Sequence, residues 1–581
     1  MHSPDGGRQV NDSVPPSDNA ALPTMSLRCV AGWSLFSAIA LYLAFPPVGL
    51  WPLAWIATFG WLAIVRAYRL PRRAGLTLYA SGAIFWLALL YGVGNSHWAT
   101  RLFGWPTLCA YLAVYTPLFV FTCRTAVHRF KIPLVIAAPI CWVGWEFVRA
   151  HFATGFAVGL LGHTQAAQLP LIQISNLIGA YGVSFVVLAV AAALVDAGVI
   201  DRWIRPQTTQ PSMRYRIAML ATIVVALAAT LGYGWNQLSI PAARSSQTLT
   251  AALVQGSIDT SFEDPTQGER TFEQYVKLTD EVTRDRDDLD IILWPETTMG
   301  NNALIVVDED VEVPPGLTMT TEEYRERLVR YRDDYLAMLD VFANRRWRAP
   351  LLLGTSTLRY GRQGMQVYNS ALYVPLDQAP QLRYDKTHPV MFGEYVPLGD
   401  LFPWLYQLTP MGGGLTPGAG PVAIDVGDRV RLVPCICFEN TVPHLVRRHA
   451  AVAADPTKTE ILVTLTNDGW FWGSSVLDLH LICAQFRSAE LRKPMLIAAN
   501  TGFSAWIDRS GRLLDVGPRQ QTEVMVVDIP LDTAPPTIYQ RFGDLFAGTW
   551  GIAVLVLLGI NLICPWLRKR KTSSSGGADP Q

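Results

Sequence analysis

"RLVPCICFEN", Arg431–Asn440, is an apolar run that stops on a thiol and is followed at once by a carboxylate. Its aliphatic and β-branched residues read as a buried strand ending at Cys437. On that strand Cys435 and Cys437 share a face, and so short a loop closes only a strained disulfide. Of the eight cysteines, Cys109, Cys123, Cys141 and Cys564 lie in or beside long apolar runs and Cys29 begins the first of them. Only Cys435, Cys437 and Cys483 fall in segments of soluble composition, so at least one thiol there is left unpaired.

Outward from that strand, residues 248–531 alternate strands with helices. "TLTAALVQGS", "LDIILWPE", "PLLLGTST", "YNSALYVP" and "TEILVTLTND" read as buried strands, and "MLIAANTGFSAWIDRSGRLL" as a hairpin around Asp508 and Gly511. "RTFEQYVKLTDEVTRD" places Phe272, Tyr275, Val276, Thr279 and Val282 on one helical face. A second helix aligns Tyr324, Leu328, Tyr331, Tyr335, Met338 and Phe342, and "LHLICAQFRSAELRKP" is a third. This alternation specifies an α/β layered domain.

The remainder of the 581 residues is of another kind. The chain is 50% apolar, 16% charged and formally neutral, but the apolar residues are concentrated in 26–235 and 545–567. Runs near 27–45, 48–65, 76–94, 105–123, 132–150, 171–195, 217–235 and 545–567 are each long enough to span a bilayer as helix. Basic clusters follow the second run (Arg66, Arg69, Arg72, Arg73), the fourth (Arg124, His128, Arg129, Lys131), the sixth (Arg202, Arg205, Arg214, Arg216) and the eighth (Arg568, Lys569, Arg570, Lys571). All therefore fall on one side, which the positive-inside rule makes cytoplasmic. The expected organisation is a disordered cytoplasmic tail 1–25, spans one to seven in 26–235, a linker 236–247, an exported α/β domain 248–531, a linker 532–544, span eight and a basic cytoplasmic tail 568–581. The first 25 residues lack the apolar core of a cleavable signal. No basic stripe with interleaved aromatics points to nucleic acid.

Polar residues stand out in both halves. Glu146, Arg149, His151, His163 and Gln165 sit within or beside apolar segments, with His97 and Arg101 in an earlier loop. Glu146 and Arg149, spaced i,i+3, can neutralise one another, either as a functional pair or as a structural one with interfacial anchors. In the soluble half, buried strands end on Glu296 and Cys437, while Lys386 and Glu394 lie in "YDKTHPVMFGEYVPLG". Strand ends aim side chains at one rim of a sheet, so a carboxylate, an ammonium and a thiol could converge there. Taken singly, each residue has a plainer explanation: a solvated strand end, a surface lysine, an inert buried cysteine.

In order, "WPE", "YDKTHPVMFGEYVPLG", "CICFEN", "TNDGWF" and "AANTGFSAWIDRSG" resemble the carbon–nitrogen hydrolase (nitrilase) superfamily. With eight spans around such a domain, and with "WVGWEFVR", "GLLGHTQ" and "GAYGVSF" in the membrane half, the chain resembles the apolipoprotein N-acyltransferase family over roughly residues 30–567. The resemblance implies an α-β-β-α sandwich with Glu296 as general base, Lys386 as electrostatic stabiliser and Cys437 as nucleophile. It further implies Glu394 and Glu439 as supporting carboxylates, and an oxyanion bound by Lys386 and the Phe438 backbone N–H. The implied donor is a membrane phospholipid and the acceptor a diacylglyceryl-modified apolipoprotein. No metal, cofactor or nucleic acid is called for, and a monomer suffices. The implied location is the bacterial inner membrane, with the catalytic domain on the periplasmic face and both termini cytoplasmic. Departures from the family pattern are Pro389 and Met391 in "KTHPVMFGE", Phe438 for a common Tyr, Glu263 before Asp264–Pro265, and "GFAVGLLG" without a Pro-Trp. They bear on lipid or lipoprotein preference more than on the reaction.

An acyl-enzyme of this kind must be kept from water, and "TPMGGGLTPGAGP", Thr409–Pro421, is either a lid or an ordinary connecting loop. Two other readings remain open at this level: a membrane-tethered amidase hydrolysing small substrates, and a non-catalytic scaffold. A zinc enzyme is disfavoured, because Cys435 and Cys437 lack a second ligand pair at zinc spacing and His388 and His480 fit no metal motif.

Overall fold

The computed structural model describes residues 24–201, 212–241, 247–259, 264, 266–362, 364–378, 380, 382–399, 401–408 and 413–574. The expected tail 1–25, much of the linker 236–247, Arg202, Arg205, Glu263 and the first four residues of Thr409–Pro421 lie wholly or largely outside them.

The apolar part is built mainly of helices: α1 Leu27–Ala44, α2 Phe59–Arg66, α3 Ala74–Leu89, α4 Thr100–Arg129, α5 Leu134–His151, α6 Leu169–Ile178, α7 Ala180–Asp196 and α8 Met213–Ser239. Among the described residues, four helices are long and apolar enough to cross a membrane unaided: α1, α4, α8 and Leu545–Ile563 near the C-terminus. The pair α6–α7 is long and apolar enough only when taken together across a bend of 119°. The bend sits at Gly179, whose φ of +73° leaves the helical region at little cost only because glycine has no side chain. The other expected spans are helical but interrupted or shorter. The second is split into Trp51–Leu53, Ala54–Ala57 and α2, and α3 has 16 residues. Glu146, Arg149 and His151 make α5 less apolar. Apolar side chains stand on the outside of α8 and of the C-terminal helix, with Val225 and Ile552 each 67% exposed. Such faces suit lipid.

The soluble part is two stacked sheets between helices. The first has order β13-β1-β2-β4-β5-β6 with β3 beside β4, the second β12-β11-β10-β9-β8-β7. The strands are β1 Thr248–Gln255, β2 Ile291–Trp294, β3 Ala303–Val307, β4 Leu351–Gly361, β5 Gly364–Val374, β6 Leu382–Asp385, β7 Ile424–Val426, β8 Val430–Ile436, β9 Thr459–Thr466, β10 Met495–Ala499, β11 Ala505–Ile507, β12 Leu513–Val516 and β13 Glu523–Pro530. The central pairings β1·β2, β2·β4, β8·β9 and β9·β10 are parallel. Strand alternation divides the side chains. Leu253, Leu293 and Leu352 meet Leu432, Val463 and Leu496 between the sheets. Ala252, Val254 and Ile292 face outward onto α9 Gln267–Arg284 and α10 Thr321–Asp340. Val433, Cys435 and Leu462 face α11 Pro443–Val452 and α12 Val476–Leu491. The result is an α-β-β-α sandwich.

Two details differ from the sequence reading. Tyr331 is 51% exposed, and α10 buries Leu339 with Tyr324, Leu328 and Tyr335, because its stripe drifts around the helix over five turns. β3, β6, β7, β13 and α11 were not foreseen, and β13 pairs with β1 along its whole length.

The chain then returns to the bundle as α13 Leu545–Ser574. Bundle and sandwich share α12, whose Leu479, Cys483, Phe486 and Ala489 belong to the bundle core. Gln173 donates to the Ser510 carbonyl at 2.9 Å, and the Ala180 N–H donates to Glu490 at 2.8 Å. At the opposite end the basic clusters meet one another. Arg66 and Arg216 both pair with Asp201, Arg124 donates to the carbonyls of Ile64, Val65, Ala67 and Tyr68, and Thr125 donates to Asn561 of α13 at 2.5 Å.

Candidate active site

Three strand ends on one rim of the sandwich deliver the predicted side chains. β2 stops at Trp294, and after Pro295 the buried Glu296 turns inward. One Glu296 oxygen accepts from the Asn369 side-chain amide at 2.6 Å, and the other from the Asn467 backbone N–H at 2.8 Å. Gly354 on β4 lies directly beneath. A Cβ there would sit 2.4 Å from the Pro295 carbonyl oxygen and 2.5 Å from Glu296 Cα, so the close approach requires glycine.

β6 ends at Asp385, and Lys386 follows, only 1% exposed. Its Nζ donates to Glu394 at 2.7 Å and lies 3.4 Å from Glu296. The second Glu394 oxygen accepts from the Val390 N–H at 2.8 Å, which closes the turn between the two residues. Glu296, Lys386 and Glu394, scattered over 99 positions of sequence, are thus in direct contact.

Cys437 is not the last residue of its strand, as the sequence reading had it. β8 ends at Ile436, and Cys437 adopts a left-handed φ of +52° at the start of a short turn, Cys437–Thr441. A non-glycine residue in that region is strained and persists only where its surroundings hold it. Cys435, one pleat back, is fully buried against His449. All seven cysteines with described side chains are free.

Glu439 is one of the groups that hold the turn. It has no solvent exposure, and both its oxygens are occupied. One accepts from the backbone N–H groups of Thr387 (2.8 Å) and His388 (3.0 Å) and from the Thr387 hydroxyl. The other accepts from the Ile436 N–H at 2.8 Å, and the Tyr384 hydroxyl reaches both. One carboxylate therefore ties the Lys386 loop of the first sheet to the Cys437 turn of the second. Phe438 points the opposite way. It packs on the bundle core, near Phe156 (ring centroids 6.5 Å apart) and stacked on His388.

The charges set the resting state. Burial pushes the Cys437 thiol well above its ordinary value, with Glu296 adding to the effect and Lys386 opposing it. Burial also raises Glu296, against the pull of Lys386. Burial disfavours the Lys386 charge, but the two carboxylates outweigh it and hold the ammonium protonated. Lys386 is thus shared between acids rather than reserved for a thiolate. The site at rest holds a neutral thiol within the electrostatic reach of Glu296 and Lys386. This arrangement suits nucleophilic attack on an acyl carbonyl with proton transfer during the attack.

Sequence reasoning missed one pair. His480 on α12 donates through Nε2 to the Cys437 carbonyl at 3.1 Å, and its Nδ1 faces Asp468 at 3.1 Å. Both ring nitrogens meet acceptors, so the ring carries both protons. Asp468 accordingly holds His480 above its usual range, although burial opposes the charge. The two lie twelve residues apart on different elements, and only "TNDGWF" had singled out the first.

Other predicted features are placed as follows. The described part of the candidate lid is fastened at the site: Leu415 N–H donates to the Glu394 carbonyl and Gly418 N–H to that of Lys386, each at 2.8 Å. Exposed apolar side chains lie instead just before it, at Leu398, Leu401, Phe402 and Trp404. Glu146 and Arg149 are buried but bond separately. Glu146 accepts from Trp142 and the Leu161 N–H, while Arg149 donates to the carbonyls of Val158 and Gly159. Gln165 bonds Trp51 and Trp55, and His163 packs on Phe486.

Two family models match the chain. Residues 37–193 match the apolipoprotein N-acyltransferase N-terminal domain, and residues 250–539 match the carbon-nitrogen hydrolase domain. A protein of Rhodopirellula baltica named apolipoprotein N-acyltransferase is 30% identical over 583 residues, covering 94% of this chain and 100% of that one. Proteins of the same name from Geobacter metallireducens (30% over 523 residues, 88% and 92% covered) and Vibrio parahaemolyticus (28% over 555 residues, 92% and 97%) are similar along nearly their full lengths.

Proposed function

Since the chain belongs to the apolipoprotein N-acyltransferase family, we propose that it transfers an acyl chain from a membrane phospholipid to the α-amine of a lipoprotein's lipid-modified N-terminal cysteine, through a thioester on Cys437. The observation that carries this reading is the division of neighbours at the nucleophile. Cys437 lies against the sandwich core and Phe438 against the bundle core. A reactive sulfur at that seam can meet an acyl carbonyl whose chain never leaves the bilayer. A soluble-substrate amidase would gain nothing from it.

In the first half-reaction Glu296 takes the thiol proton as sulfur attacks the ester carbonyl. The C–S bond forms, the ester C–O bond breaks, and the lysophospholipid oxygen leaves with the proton from Glu296. In the second, the acceptor amine attacks the thioester, a C–N bond replaces C–S, and the proton passes through Glu296 back to sulfur. Each tetrahedral oxyanion is met by the Lys386 ammonium and the Phe438 N–H; such donors are worth about 3–4 kcal/mol each. Glu394 holds Lys386, Glu439 holds the two loops in register, and the His480 imidazolium fixes the carbonyl of the strained Cys437. Both substrates use one site in turn, a ping-pong scheme.

The same reading places the chain in the bacterial inner membrane with eight passes, the sandwich outside and both termini inside. The clustering of Arg66, Arg124, Arg216 and Asp201 at the bundle end away from the sandwich supports it, as does the apolar exposure of α8 and α13. The test is transfer in detergent from a defined phospholipid to a synthetic peptide with a diacylglyceryl-cysteine N-terminus. The peptide gains the mass of one acyl chain with the parent and none with Cys437→Ala. An unmodified peptide together with release of free fatty acid or ammonia would favour a tethered hydrolase instead.

A further inference from the structure

A second cluster of chemically capable side chains lies outside the active site, where three elements meet. His151 ends α5, His444 is the second residue of α11, and Asp544 immediately precedes α13. One ligand atom from each lies within 4.8 Å of the others.

The hydrogen bonds around the cluster fix which atoms face inward. The Phe147 carbonyl accepts a bond from His151 Nδ1 at 2.9 Å, so Nδ1 carries a proton and Nε2 is the ring atom left to face the cluster. That nitrogen faces Asp544 Oδ2 at 3.5 Å. The other Asp544 oxygen is held by the Tyr539 hydroxyl at 2.8 Å. Between this nitrogen and the carboxylate lies a positive charge, either the proton of an imidazolium or a metal cation. The third residue decides between these. His444 stacks against His151, ring centroids 4.5 Å apart, and its Nδ1 is buried with no hydrogen-bond partner among the described residues. A proton shared by His151 and Asp544 gives the His444 ring no role; a metal ion held by all three residues uses one of its nitrogens.

We propose that His151 Nε2, His444 and Asp544 bind a divalent transition-metal ion of the zinc class. Two imidazoles and one carboxylate suit that class and not calcium or magnesium, which prefer oxygen. Bonds of about 2.0–2.1 Å set tetrahedral ligand atoms roughly 3.3 Å apart, a spacing the His151–Asp544 pair already approaches. The backbone-held imidazole and hydroxyl-held carboxylate are the outer contacts that orient metal ligands elsewhere. The ion would staple the helix that follows the Cys437 turn to α5 and α13. In this position its role is structural, holding three elements together.

The test uses full-length protein in detergent, with any affinity tag removed, stripped by chelator and titrated with zinc chloride. About one equivalent is retained after desalting, zinc-edge X-ray absorption reports two imidazoles and oxygen without sulfur, and His444→Asn and Asp544→Asn each weaken binding at least tenfold. The first two readings need no variant to fold. Retention below about a tenth of an equivalent, a sulfur shell, or variants that bind zinc like the parent would each overturn the proposal.

Discussion

Replacing Glu439 by Gln changes one oxygen to an amine and nothing in volume, so it isolates the clamp between the two sheets. The carboxylate accepts from three backbone N–H groups, those of Thr387, His388 and Ile436, all within 3.0 Å. An amide offers one oxygen. Its better orientation keeps that oxygen on Thr387 and His388 and turns the amine toward Ile436. One buried N–H is then left without an acceptor, at about 1–3 kcal/mol. Two charge-assisted bonds also become neutral, losing about half their strength each. Against this, the variant no longer buries a charge, and burial raises the Glu439 carboxyl in the parent. The net expectation is a loss of about 2–3 kcal/mol, with Cys437 and Lys386 drifting apart. Chemical denaturation in detergent reads the first effect, and the alkylation rate of Cys437 together with acyl transfer reads the second. A variant within about 0.5 kcal/mol of the parent and within twofold in rate would refute the clamp.

Four further outcomes follow from the same geometry. Glu296→Gln and Lys386→Met each reduce acyl transfer by at least about a hundredfold, since one removes the proton acceptor and the other an oxyanion donor; single-turnover assays check this. Because burial and Glu296 raise the Cys437 thiol, its alkylation climbs with pH beyond the usual thiol range, and Lys386→Met shifts the profile to still higher pH. For His480, whose folded value lies above the unfolded one, the imidazolium's stabilisation is complete below the ordinary histidine range and fades as pH rises through the folded value. His480→Gln, which keeps a donor, therefore flattens the pH dependence of stability while retaining more activity than His480→Ala. Gly354→Ala forces Glu296 out of place and costs about 1–3 kcal/mol, with activity falling more than stability accounts for.

Much of this was legible because strands announce their ends. "IILWPE" and "RLVPCICF" each run from apolar to chemically capable in one step; that transition made Glu296 and Cys437 candidates, and the family resemblance gave them their expected roles. The layered α/β domain followed from the alternation of strands and helices, and the α-β-β-α sandwich from the resemblance to the nitrilase superfamily. What remained hidden depends on conformation or on contacts between distant segments. The left-handed φ of Cys437 has no signature in a cysteine codeword, and the Asp468–His480 pair forms only when α12 packs behind the turn. Glu439 was named, but its work as a bracket between two loops needed the positions of Thr387 and Ile436. In the bundle, hydropathy registers apolar length and not breaks, so α6–α7 read as one straight span across Gly179. Glu146 and Arg149 share a helix face as their spacing required, yet the loop Val158–Leu161 supplies partners that no periodicity could foresee.

The central claim is a covalent one, and intact mass tests it most directly. Purified protein incubated with phospholipid in detergent is predicted to gain the mass of a single fatty acyl chain, removable by hydroxylamine and absent from Cys437→Ala. No adduct, with Cys437 also inert toward alkylating reagents across the pH range, would contradict the acyl-enzyme and with it the transferase mechanism.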